Sequence, residues 1–297
     1  SSVFFVLELT NPIDANLGNA VLPVYILDDD NDVPVTDDTV LNMNYLTSYT
    51  VDPVGTAEIL KFDPTSQRLY VVNDSKIEIL DFSDPTTTTS IGSIDITSFG
   101  ASAQSVDVKN GIVAIAVAAN VTTDLGSVVF TDIDGNNAVQ VQAGALPDML
   151  TFTPDGNSVL VANEGEPSQD YTIDPEGSVS VIDVTSGLSG ISQTNVTTIN
   201  FNAFDSQQAT LIANGVRIYG PGASVSQDLE PEFITVSDDS QTAYVACQEN
   251  NAYAVIDLTT NTVSNIKSFG LKDHSLPENT LDVSDETNFI FDASWPI

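Results

Sequence analysis

"LTFTPDGNSVLVANEGEPSQDYTIDPEGSVSVID", residues 150–183, contains the fold in outline. An apolar strand, "LTF", runs into a turn carrying Pro154, Asp155 and Gly156, and a second strand, "NSVLVAN", follows. After a long acidic loop a third strand, "SVSVID", ends on Asp183. Short runs rich in Val, Ile, Phe and Tyr, bounded by Gly, Pro, Asn and Asp, have the periodicity of strands. The same order recurs in "LKFDPTSQRLYVVND" from Leu60, "VDVKNGIVAIAVAAN" from Val106 and "ITVSDDSQTAYVACQ" from Ile234. Each copy has a third strand, and these end at Asp81, Asp132, Asp183 and Asp257, at intervals of 51, 51 and 74 residues.

A unit of three clear strands and a weaker fourth, repeating at roughly 45–50 residues, predicts the blades of an all-β propeller. The expected blades are about 51–100, 101–145, 146–228 and 229–270, with the start of a further one at 271–297. The extra length of the third falls in 187–228, the least regular part of the chain, and no helical stretch of about ten residues stands out. The Asp closing each third strand reads most simply as a turn residue bonding its own backbone.

In a propeller the first strand of each blade lines the central channel. The loop entering that strand and the loop between the second and third strands open on one face. Four residues before the matched positions Phe62, Val108, Phe152 and Val236 stand Glu58, Gln104, Asp148 and Glu232. Asp148 and Glu232 each follow a proline, whose fixed φ aims the next residue reproducibly. Just after the second strands, on the same face, come Asn73 and Asp74, Asn163 and Glu164, and Gln248 and Glu249. The third blade enlarges this loop and loads it with Glu164, Glu166, Asp170, Asp174 and Glu176, and no basic residue lies in 162–178. Long loops on compact folds are more often functional than incidental.

A ring of carboxylates and amides without Lys, Arg or His suits a hard cation. Calcium takes six to eight oxygens and needs neither nitrogen nor sulfur. The competing reading is that acids simply collect on solvated loops, since the 297-residue chain holds 42 Asp and Glu against 7 Lys and Arg. A net charge of −35 repels nucleic acid and anionic lipid, which excludes partners of that kind. An apolar fraction of 41% argues for a folded domain over a disordered polyanion, and a halophilic surface is a further reading of the charge.

Zinc chemistry and disulfides are poorly supplied, with one His and one Cys. Cys247 lies in the apolar run "TAYVAC" and reads as a buried, inert thiol. His274 has Asp273 and Ser275 as sequence neighbours, which is not how triads are assembled. No nucleophile elbow and no phosphate-cradling glycine loop occurs. No apolar run is long enough to span a membrane. Three glycosylation sequons start at Asn73, Asn120 and Asn195, a number that chance explains in a chain this rich in Asn, Ser and Thr.

The first residues, "FFVLELTNPIDANLGNAVLPVYILDDDND", end in a run of acids and open in mid-strand, as a piece of something longer would. The features L-x-N-P, A-x-L-G and V-x-I-x-D-D-D make residues 1–32 similar to the last two strands of a Calx-beta sandwich. That resemblance implies calcium ligation by Asp28, Asp29, Asp30 and Asp32. Residues 33–50, in the wake of "DDDNDVPVTDDT", are expected to be an acidic linker.

From about residue 50, "FTPDGNSVLVANEGEPSQDYTIDPEGSVSVID", "DLEPEFITVSDDSQTAYVACQENNAYAVIDL" and "GLKDHSLPENTLDVSD" resemble the choice-of-anchor I group of bacterial secreted propellers. The resemblance implies a propeller of about seven blades when complete, of which four to five are present. It also implies an extracellular or cell-surface setting. The expected function is that of a non-enzymatic, calcium-stabilised module that binds other extracellular proteins or surface polymers, or assembles with itself. The alternative is a metal-dependent phosphoesterase, alkaline-phosphatase-like, using Asp148, Glu232, Glu164 and Glu166 at the channel mouth.

Overall fold

The computed structural model describes residues 45–52, 57, 59–273, 276 and 279, together with the backbone of two strands nearer the N-terminus. Those strands, β1 (Val3–Glu8) and β2 (Val21–Ile26), pair antiparallel with Val3 opposite Ile26. Asp28, Asp29, Asp30, Asp32, Glu58 and His274, all singled out from sequence, lie outside the described residues, as does most of 271–297.

The rest forms four antiparallel sheets of four strands each, every sheet built from consecutive strands in simple meander order. The first is β3 (Leu60–Asp63), β4 (Arg68–Asn73), β5 (Lys76–Asp81) and β6 (Thr89–Asp95). The second is β7 (Ser102–Lys109), β8 (Ile112–Ala118), β9 (Leu125–Asp132) and β10 (Val139–Ala145). The third is β11 (Pro147–Phe152), β12 (Ser158–Asn163), β13 (Ser178–Asp183) and β14 (Val196–Asn200). The fourth is β15 (Phe233–Val236), β16 (Thr242–Cys247), β17 (Ala252–Asp257) and β18 (Thr262–Ser268). This is the propeller-like architecture that the repeat implies. The fourth strand, weak in the sequence, is complete in every blade.

The sheets stack face to face, so their middle strands are buried on both sides. That is why β8 reads "IVAIAVA" with no polar alternation, all seven residues being buried. Separate apolar layers fill each seam. Tyr70, Ile77 and Ile79 meet Val113, Ile115 and Val117 between the first and second blades. Ala114, Ala116 and Phe130 meet Val159, Val161 and Ile182 between the second and third. Leu160, Ala162 and Val179 meet Ile234, Val245 and Cys247 between the third and fourth. Each fully buried Val, Leu or Ile contributes about 1.5–3 kcal/mol to holding a seam. The outer face of the fourth blade differs, leaving Phe233, Tyr244 and Phe269 exposed.

The Asp residues that end the third strands do bond their own turns. Asp183 accepts from the Thr185 backbone N–H (2.8 Å) and hydroxyl (2.6 Å), and Asp257 accepts from the same two groups of Thr259 at the same distances. The hydroxyl bond, then the backbone bond, pulls each of these carboxyls below the ordinary range.

The irregular stretch between the third and fourth blades condenses into short helices, including α1 (Gln208–Ala213) and α2 (Val225–Asp228). It sends Phe201, Leu211, Val216, Val225 and Leu229 into the third seam. Ser224 caps α2 by accepting the Gln227 N–H at 3.2 Å. The extra length of the third repeat thus serves as filling for the seam beneath the acidic loop.

Candidate functional site

The acidic loop leaves β12 at Asn163 and is fastened at once. Glu164 N–H donates to the Leu146 carbonyl at 2.8 Å, and Gly165 N–H donates to the Ala145 carbonyl at 3.1 Å. Leu146 itself has φ of 46°, so the chain turns through the left-handed region immediately before Pro147 presents Asp148. Gly165 also has positive φ (71°), and a Cβ there would fall within 2.9 Å of the Glu176 and Gly177 backbone. The two ends of the loop therefore cross at a point that admits no side chain. At the far end Gly177 lies so close to the Leu229 carbonyl that a Cβ would overlap it, while its N–H donates to the Ser226 carbonyl at 3.0 Å.

The sequence-predicted acids separate into groups. Asp148, Glu164, Glu166 and Glu232 share one electrostatic field across the third seam, and Glu230, which the repeat alignment did not single out, joins them. Burial, then the charges of Asp148, Glu166, Glu230 and Glu232, push the Glu164 carboxyl up to about 8. Burial, then Glu249, Glu166 and Asp228, push Glu230 up to about 7, and it shares a hydrogen bond with Glu249. Glu232 is raised mainly by burial, and its own N–H is fixed on the Ala246 carbonyl at 2.9 Å. The charges that act most strongly on Glu164 are all carboxylates.

Asp174, Glu176 and Asp170 stand elsewhere on the loop. Asp174 is half-buried and raised by burial and then by Asp228. Glu176 accepts from the Asn202 amide at 2.8 Å, which ties the loop to the chain after β14. Asp170, at the exposed tip, accepts from the Thr172 hydroxyl at 2.7 Å and the Ser168 hydroxyl at 2.9 Å, and these bonds hold it below the ordinary range. Its lone pairs serve the turn.

Behind the acids the buried Asn250 amide clasps two segments, one at Arg217 and one at Asp228 to Glu230. Its Nδ2 donates to the Arg217 carbonyl at 3.1 Å and to the Asp228 carbonyl, and its Oδ1 accepts the Glu230 N–H at 3.0 Å. Asp228 accepts from the backbone N–H groups of Tyr219 (2.9 Å) and Gly220. The Tyr219 hydroxyl donates to Glu249 at 2.6 Å, under the guanidinium of Arg217 at 5.1 Å from the ring centre. Burial, and then that bond to Glu249, raises the Tyr219 phenol. The alignment placed Glu249 on this face, but it could not reach Glu230, Asp228 or Tyr219, because all three belong to or follow the irregular insertion.

Chemically this face is a pool of hard oxygen donors. Among the described residues no three Asp, Glu, His or Cys groups converge closely enough to form a ready ligand set. The acids share a field more than a coordination sphere. Cys247 is fully buried beneath them, and burial raises its thiol, which makes it inert, as expected.

No curated protein matches the chain. Among solved structures, the chain is similar in part to the following three. Kuenenia stuttgartiensis hydrazine synthase aligns at 16% identity and a TM-score of 0.49, over 76% of this chain and 52% of its own. A functionally unknown protein from Desulfotomaculum acetoxidans aligns at 11% and 0.47, over 72% and 58%. Hsv2 of Kluyvelomyces marxianus aligns at 12% and 0.47, over 78% and 59%. The chain thus spans little more than half the length of each of these structures. Among the described residues no helix is long and apolar enough to cross a membrane. Residues 58–297, four blades and the acidic face included, match the choice-of-anchor I domain, and the chain belongs to that family of surface-associated modules.

Proposed function

We infer that this protein is a non-enzymatic extracellular module whose acidic face takes up calcium and whose propeller serves as a binding surface for other surface proteins or polymers. The observation that carries the calcium reading is the burial of Glu164 among Asp148, Glu166, Glu230 and Glu232 across the third seam: burial first, and then these four charges, push it up to about 8. A divalent ion held there, with ligands from the rotating carboxylates, backbone carbonyls and water, offsets the repulsion and keeps the seam closed. Asp28, Asp29, Asp30 and Asp32, as the end of a Calx-beta sandwich, extend the same dependence to the N-terminal segment. Asp170 contributes to the turn instead.

The decisive experiment is thermal melting of the protein in excess calcium and in excess chelator. A rise in Tm with calcium that shrinks in Glu164→Gln supports the reading, and identical curves remove it. The phosphoesterase alternative is tested on the same samples with p-nitrophenyl phosphate and added divalent ions. Turnover lost in Asp148→Asn would favour it over the binding-module reading.

A further inference from the structure

We propose that the second blade carries a binding cleft for a neutral, polyhydroxylated ligand, a sugar unit of a surface polysaccharide. The cleft has a volume of about 480 Å³, within the range of small-ligand sites. It opens beside the loop between β8 and β9, which by its place in the blade lies on the same face as the acidic loop between β12 and β13. Its chemistry differs from that face. Its polar lining is supplied chiefly by Asn120, Gln140 and Gln142, with Asp124 as the one charged side chain. In a chain of net charge −35, a cleft lined mainly by amides is a local exception.

The rim is built and held. Gln140 Nε2 donates to the Ser127 hydroxyl at 2.9 Å and to the Phe99 carbonyl at 3.1 Å, which fixes the side chain and leaves its Oε1 to accept. Gln142 lies on the edge strand β10, and its backbone is clamped from both sides by the Gln193 amide. Gln193 Oε1 accepts the Gln142 N–H at 2.7 Å, and Gln193 Nε2 donates to the Gln142 carbonyl at 3.2 Å. The side chains of Asn120, Asp124 and Gln142 bond no protein group among the described residues. They project with their hydrogen-bonding capacity unspent.

That inventory matches a sugar. An amide offers two N–H donors and an acceptor in one plane, which lets one side chain serve two neighbouring hydroxyls that each donate and accept. Asp124 adds an acceptor-only partner. Leu125, more than half exposed at 54%, and Phe99 supply the apolar contact that the C–H face of a pyranose needs. The cleft lacks a basic side chain, so an anionic ligand finds no counter-charge there.

The inference rests on the binding-module reading but uses none of its acids, so the two can fail separately. The test is native gel electrophoresis through gels containing dextran, mannan or xylan, on which so acidic a chain migrates freely. Expected is retardation by at least one polymer, weakened at least fivefold in Gln142→Ala and in Asn120→Ala. It should persist in chelator and in Glu164→Gln, with the variants' melting curves unchanged. No retardation by any of the three, retardation unaffected in the Asn120→Ala, Gln142→Ala double variant, or retardation abolished by chelator would each overturn the proposal.

Discussion

Asp107 accepts the Phe152 backbone N–H at 2.8 Å and the Lys61 ammonium at 3.0 Å, so one carboxylate on the inner strand of the second blade grips the inner strands of the first and the third. It also accepts its neighbour Val108 N–H at 2.7 Å and is almost wholly buried. Asp107→Ala removes these bonds and leaves a buried N–H unsatisfied, at a cost of about 1.5–3 kcal/mol. Lys61 is half-exposed, so Lys61→Met costs at most about 1 kcal/mol. Urea unfolding of the two variants reads both numbers, and equal losses would contradict the staple.

The acidic face dictates how stability depends on pH. Glu164 rises from 4.5 to about 8 on folding and Glu230 from 4.5 to about 7. Between those limits the folded chain binds more protons than the unfolded one, so stability falls as pH rises. The contribution is full below about 4.5 and is lost as pH passes 7 and then 8. In chelator, melting temperature should decline from pH 5 to pH 8, and Glu164→Gln should flatten the decline. A profile that rises over that interval would refute the assignment.

Calcium should act where protons are lost. If the ion replaces protons on the third seam, its stabilising effect is larger at pH 8 than at pH 5.5. Calorimetry at the two pH values measures this, together with protons released into the buffer on binding. An effect that is equal at both places the ion away from Glu164 and Glu230.

Two glycines separate close approach from turn geometry. Gly177→Ala drives a methyl into the Leu229 carbonyl and must spread the loop from the insertion, which costs more than about 2 kcal/mol. Gly111, in the turn between β7 and β8, has φ of 79° but nothing within 4 Å, so Gly111→Ala costs only the positive-φ backbone, about 1–2 kcal/mol. Denaturant unfolding should rank them in that order.

The repeat made the blades legible because each strand is short, apolar and closed by a turn residue whose carboxylate bonds its own backbone. Register followed as well. Asp148, Glu164 and Glu232 were placed by alignment alone, and they share a field across one seam. What the alignment could not reach depends on contacts across the insertion. Glu230 joins the cluster because Asn250, 20 residues on, holds its N–H, and no periodicity announces that bond. Asp170 illustrates the opposite limit. Its D-x-T pattern is the one at Asp183 and Asp257, a turn signature in plain view, but the density of acids around it suggested a ligand instead.

The Asn250 amide has a mechanical consequence. Its bonds to Arg217 and Glu230 close loops of 33 and 20 residues. Tension applied along the chain between the third and fourth blades reaches this one side chain before it reaches any β-ladder of the fourth. A pulled module would therefore release the insertion as a discrete first extension, at a force set by the Asn250 bonds together with the apolar side chains that the insertion buries in the seam, while its sheets remain whole.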